Sequence, residues 1–141
     1  MPMDLRSKSK ENLQVVEYAI KRQKYFNALA GRAYYAVYQS LKHYLVSKKF
    51  DYGGFLRRIG KEDQREFSHG TIMRACVEQL CTTGVKQDEL RCLNFIGDMY
   101  YIRWRADYTD SSITPAEFSW CVESAKKIVK IMYARENKNN K

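Results

Sequence analysis

The residues of this chain that could do chemistry are mostly cations and phenols. Arg103 and Arg105 lie near the end of a segment with helical apolar spacing. A guanidinium grips a phosphate through two parallel hydrogen bonds, so both arginines suit a phosphate-bearing ligand. The competing reading pairs them with the nearby acids Asp98, Asp107 and Asp110. Arg57 and Arg58 belong to a second basic stretch, residues 47–67, which also holds three glycines. That stretch reads as a flap over an anionic ligand or as a solvated loop. There are two histidines, His43 and His69. His69 follows Ser68 at the expected start of a helix, a natural anion-binding position, or it serves there to pack or cap. No P-loop, dinucleotide fingerprint, nucleophile elbow or metal cluster is visible, and neither a cofactor nor a metal is expected.

The elements that must position these groups read as helices. Residues 27–46, NALAGRAYYAVYQSLKHYLV, lack proline and repeat apolar residues at helical spacing through Leu29, Ala33, Val37, Leu41 and Leu45. Ala30, Tyr34 and Tyr38 widen that stripe to roughly half the circumference, which implies a central helix with neighbours on two sides. Gly31 costs about 1 kcal/mol against alanine there and calls for an offsetting reason. The remaining face carries Arg32, Gln39 and His43. A second helix over residues 88–105 shows two apolar faces, one with Leu90, Leu93, Ile96, Tyr100 and Trp104, the other with Phe95, Met99 and Ile102. It is expected to be buried on two sides and to partner the first. Between its faces runs a polar seam that includes Asp98, for which Arg32 is the candidate partner.

Flanking helices are expected over residues 9–23, 70–81 and about 114–135. The last carries the sharpest local signal: Thr114 as N-cap, Pro115 in the first helical position, Glu117 completing a capping box, and Ile113 and Phe118 placed as a hydrophobic staple. Residues 1–8 read as a basic flexible lead, 9–135 as a single domain with a long basic loop at 47–67, and 136–141 as a disordered tail. The predicted fold class is all-α, an up-and-down bundle of four long helices plus a fifth.

A chain of 141 residues suffices for one core without covalent staples. Its four cysteines are therefore expected to be free and buried. Cys76 and Cys81 would point about 140° apart on one helix, which is poor geometry for zinc. No apolar run approaches the roughly 18 residues of a membrane span, and the first twelve residues lack an apolar signal core. A soluble cytoplasmic protein with no membrane partner is expected. The net charge of +9 implies an anionic partner or merely a basic surface, and eleven tyrosines offer stacking platforms for a nucleic acid or nucleotide.

Four stretches in order resemble the HEPN family of small helical domains. They are RAYYAVYQSLKHYL at residues 32–45, Ser68-His69-Gly70, the Arg-x-x-Ala-Asp-Tyr run from Arg103 to Tyr108, and Thr114-x-x-Glu117. The resemblance implies a homodimer whose motif helices line a shared cleft, in a toxin–antitoxin or defence setting, often beside a minimal nucleotidyltransferase partner. RNase members of that family carry Arg, four to six residues, then His, and act without a metal. Here Tyr108 stands in the histidine's place. Arg103 and Tyr108 are thus the catalytic candidates by resemblance, with His69 as an alternative. A phenol, with a reference pKa near 10, is a poor proton acceptor at neutral pH. On a helix the two side chains lie about 140° apart, so convergence is expected to need a turn at Ala106–Asp107. The favoured reading is an RNA- or nucleotide-binding module with a degenerate RNase motif. The alternatives are an active metal-independent RNase using His69 or His43, and a structural helical adaptor.

Overall fold

The computed structural model describes residues 4–22, 26–61, 69–82, 84–110 and 112–138. Among these the chain is all-helical: α1 (Leu5–Arg22), α2 (Phe26–Ser47), α3 (Tyr52–Arg58), α4 (His69–Cys81), α5 (Gln87–Tyr108) and α6 (Pro115–Lys138). No strand occurs among the described residues. The helices form a bundle around α2, which packs against α1, α6, α5 and α4.

The reason lies in α2's side chains. Ala30, Ala33 and Ala36 are small enough for neighbouring helices to approach, and Val37, Leu41, Tyr44 and Leu45 fill the gaps they leave. Tyr44 is fully buried and its hydroxyl has no hydrogen-bond partner among the described residues; burial pushes its phenol up to about 12. The polar face of α2 is partly covered as well. Asn12 on α1 donates to Gln39 at 2.9 Å and accepts from Arg32 at 3.2 Å, and Ser9 donates to the Ala36 carbonyl at 2.7 Å.

Helix α1 begins four residues before its expected start. Asp4 caps it by accepting the Ser7 amide at 2.7 Å, a bond that holds the Asp4 carboxyl below its ordinary range. Part of the expected flexible lead is therefore helical. The expected tail is helical as far as Lys138. Residues 1–3 and 139–141, the expected break near residue 24, and Ser68 at the expected start of the third helix lie outside the described residues.

The stretch 47–67 holds a helix where a loop was expected. Asp51 accepts the Gly54 amide at 3.0 Å and starts α3, and a Cβ on Gly54 would collide with that carboxylate. Gly60, at φ +72°, closes it as Lys61 donates to the Leu56 carbonyl at 2.8 Å. Phe55 and Leu56 fix α3 to the core.

Helix α5 departs furthest from expectation. It buries one stripe, Leu93, Ile96, Met99 and Ile102, while Tyr100 and Trp104 face solvent. It is therefore not buried on two sides, because no described helix covers its aromatic face. At the start of α6 the capping box forms as expected: Thr114 accepts the Glu117 amide at 3.0 Å and donates its own amide to Glu117 at 2.9 Å. Ile113 and Phe118 are both buried beside it. All four cysteines are free, Cys76 and Cys121 buried, Cys92 half-buried, and Cys81 exposed against expectation.

The far ends of α5 and α6 are joined by an ion pair that sequence spacing did not suggest. Arg135, 5% exposed, grips both carboxylate oxygens of Glu89, one of them at 3.0 Å from Nε. Glu89 also accepts the Lys86 amide at 3.2 Å. These contacts, the arginine's first, hold the Glu89 carboxyl below its usual range. A lowered folded-state pKa stabilises fully above the ordinary carboxylate value, and the contribution disappears as pH falls through the lowered one. Replacing Glu89 by alanine leaves a buried cation unpaired and is expected to cost about 3 kcal/mol in urea unfolding at pH 7. The gap between wild type and Glu89→Gln should shrink as pH drops below about 4. A gap that stays constant to pH 2 would contradict the ionic role.

Candidate ligand-binding surface on helices α2 and α5

Arg103 comes from the buried edge of α5, and its guanidinium lies against α2. Nη2 donates to the Tyr35 hydroxyl at 3.0 Å. The guanidinium carbon sits 5.2 Å from the Tyr35 ring centre, 5.9 Å from that of Tyr108 and 6.0 Å from that of Tyr34. These are cation–π distances, and they hold the charge in place without neutralising it. Beneath it, burial and the neighbouring Tyr100 raise the Tyr34 phenol well above its ordinary value.

Asp107, one turn on, places Oδ2 3.2 Å from Arg103 Nε. The approach is an ion pair without an aligned hydrogen bond, since the Nε hydrogen is buried with no acceptor in line. The arginine side chain is 13% exposed, whereas Asp107 is 36% and Tyr108 64% exposed. Two mobile-length, solvent-facing side chains thus cover a nearly enclosed cation. Arg103 and Tyr108 meet although α5 runs unbroken to Tyr108, so the expected turn at Ala106–Asp107 is absent. The length of the arginine side chain supplies the reach that backbone bending was expected to supply.

Gly31 belongs to this cluster. A Cβ at Gly31 would lie 3.7 Å from Arg103 Cγ, an ordinary contact. Alanine fits there, while a larger side chain would press on the arginine.

The outer face of α5 continues the site. Tyr101 and Trp104 stack with ring centres 6.4 Å apart and planes 20° apart, and Trp104 to Tyr108 spans 6.4 Å. All three rings are exposed. Behind them, a cavity of about 290 Å³ opens between Tyr34, Met73, Ile96 and Tyr100. Periodicity had assigned Trp104 and Tyr100 to the core. Their clustering with Tyr101 and Tyr108 at i, i+1, i+4 and i+8 is the signal that could have identified a surface strip.

The other candidates are placed elsewhere. Arg105 pairs with Glu117 at 2.6 Å and so fastens the end of α5 to the capping box of α6. That bond is the first cause holding the Glu117 carboxyl below its usual range. Asp98 is exposed and does not meet Arg32, which instead bonds Asn12. Arg57 and Arg58 are exposed on α3, with Arg58 paired to Glu78. No described contact links them to Arg103. His43 faces α6 and lies 3.0 Å from Glu136. His69 opens α4, and its side chain lies outside the described residues. Among the described residues no three His, Cys, Asp or Glu side chains come together as a metal site, and no helix is long and apolar enough to cross a membrane.

No family model matches the chain, and no curated protein matches it.

An anion that bound Arg103 would compete with Asp107, which already lies 3.2 Å from its Nε. Asp107→Asn should therefore raise affinity for a polyanion such as heparin or poly(U) by about tenfold at low salt. A loss of affinity in a filter-binding titration would show that Asp107 binds the ligand itself.

Proposed function

We propose that this chain is a HEPN-like module that binds RNA or a nucleotide and cleaves it weakly at most. The observation that carries the reading is the Arg103 guanidinium, held among three tyrosine rings and bordered by an exposed aromatic strip. A phosphate that displaces Asp107 gains a bidentate partner already fixed in orientation. Successive bases then have Tyr101, Trp104 and Tyr108 on which to stack, each worth about 1–3 kcal/mol in single-strand binders. Two copies would pair beside this strip and leave its rings open, so that two Arg103 clusters border a shared cleft. In that arrangement the partners are RNA or nucleotide, a second copy of the chain and, in a toxin–antitoxin or defence locus, a small nucleotidyltransferase.

Tyr108 can donate a hydrogen bond to a phosphate held by Arg103. It does not readily take a proton from a 2′-hydroxyl at pH 7, because a phenol is too weak a base. His43 lies 3.0 Å from Glu136 on the face toward α6, and no described contact links it to Arg103, so this reading does not rely on it as the base.

Single-stranded RNA should bind with an affinity that falls steeply with salt, and Arg103→Ala should weaken it about tenfold or more. Tyr108→His should introduce or raise RNase activity, and adding Arg103→Ala should abolish the gain. Strong cleavage by the unmodified protein, retained when both positions are alanine, would place the site elsewhere. Failure to bind any polyanion at moderate salt would leave a structural adaptor.

A further inference from the structure

A second concavity lies on the opposite flank of α2. Helices α1 and α6 both pack along α2 and touch each other only lightly, so a groove of about 320 Å³ opens between them. They run antiparallel: Arg6 meets Tyr133 at one end, and Glu17 meets Lys126 at 2.9 Å at the other. Those contacts are eleven positions apart along α1, about 16 Å at 1.5 Å per residue. Leu13, Val129 and Met132 supply its apolar walls.

The charges are unevenly satisfied. Four cations line the groove, Arg6, Lys10, Lys126 and Lys130, against one carboxylate, Glu136. Glu136 is engaged by His43 at 3.0 Å, and its backbone carbonyl accepts Lys48 at 2.9 Å. Lys126 is neutralised by Glu17 and by Glu123 at 3.7 Å. Asp4, near the same end, accepts the Ser7 amide. Arg6 is different. Its guanidinium lies 3.7 Å over the Tyr133 ring centre, its Nε has no acceptor, and no described residue forms an ion pair with it. A guanidinium held this close over an aromatic ring is fixed in place while its N–H groups keep the capacity to receive an oxyanion.

We propose that this groove binds a small amphiphilic anion, with its apolar body between α1 and α6 and its carboxylate or phosphate head on Arg6. The volume decides the occupant's size. It holds about ten water-sized groups, near the lower bound of small-ligand pockets. A partner helix, at least ~10 Å across, does not fit it. The rim lysines Lys10 and Lys130 add attraction for the anionic head without contacting it. The site is independent of the Arg103 cluster, which lies on the other flank of α2.

The test is calorimetric titration of the whole chain with monomeric decanoate, decyl phosphate and decanol. Saturable one-to-one binding of either anion, with decanol about tenfold weaker or more, is the expected result. Whichever anion binds more tightly identifies the head group. Arg6→Ala should weaken the anions about tenfold and leave decanol unchanged, while Val129→Trp should block all three by filling the groove. Circular dichroism melts check that both variants fold, and Arg103→Ala should leave every titration unchanged. Equal affinity for decanoate and decanol, or unaltered binding by Arg6→Ala, would overturn the proposal. So would binding confined to phosphatidylglycerol vesicles, or capture of an acidic amphipathic peptide without any binding of the monomeric anions.

Discussion

The structure depends on one helix being covered from nearly every side. Each fully buried side chain of α2 contributes roughly 1.5–3 kcal/mol when withdrawn from water, and only close neighbours can withdraw so many at once. Alanines at 30, 33 and 36 let the neighbours come in, and four helices do so. The cost is that α2 has little room left for chemistry. Its polar atoms are spent on α1, through Gln39, Arg32 and the Ala36 carbonyl. What remains for a ligand lies at its margins: Tyr35 on the α5 side, Ser40 and His43 beside the α1–α6 groove.

The Arg103 cluster gains its order from contacts that never touch it. Two residues on, Arg105 holds Glu117, and Glu117 is itself fixed by the Thr114 cap. The end of α5 is therefore anchored to the first turn of α6 instead of fraying as an isolated helix end would. Fourteen residues upstream of Arg103, Glu89 is clamped by Arg135. With both ends pinned, α5 presents its aromatic face as a rigid rail. A ligand seated there would meet a surface that the fold has already ordered, without the ordering cost a flexible loop imposes.

Hydrophobic period made most of this legible. It located α2, α4, α5 and α6 to within a few residues, and the Thr114–Glu117 box was readable as chemistry. It failed where a residue type is ambiguous or a partner is distant. Tyrosine and tryptophan count as apolar in a periodic stripe, yet their amphipathic rings serve equally at a surface, so Tyr100 and Trp104 were assigned to the core. Arg105 and Arg135 found glutamates on neighbouring helices, and nothing along the chain marks which acid an arginine will meet. The Asp51 cap was hidden because its short helix carries two glycines. Arg103 with Tyr108 was brought to notice by resemblance alone. The structure adds Tyr35, Tyr34 and Gly31, which only tertiary packing brings near.

The stack of Arg6 on Tyr133 has a topological consequence. It joins the first turn of the first helix to the last stretch of the sixth, so the start of α1 and the end region of α6 lie side by side. The first turn of α1 and the last turns of α6 both border the α1–α6 groove, so a change made at either one bears on that space. The same closeness makes the chain a natural subject for circular permutation. A short tether across the extremities, with new ends cut into the turn around Gly84, would keep every helix pair in contact while changing the order in which they form.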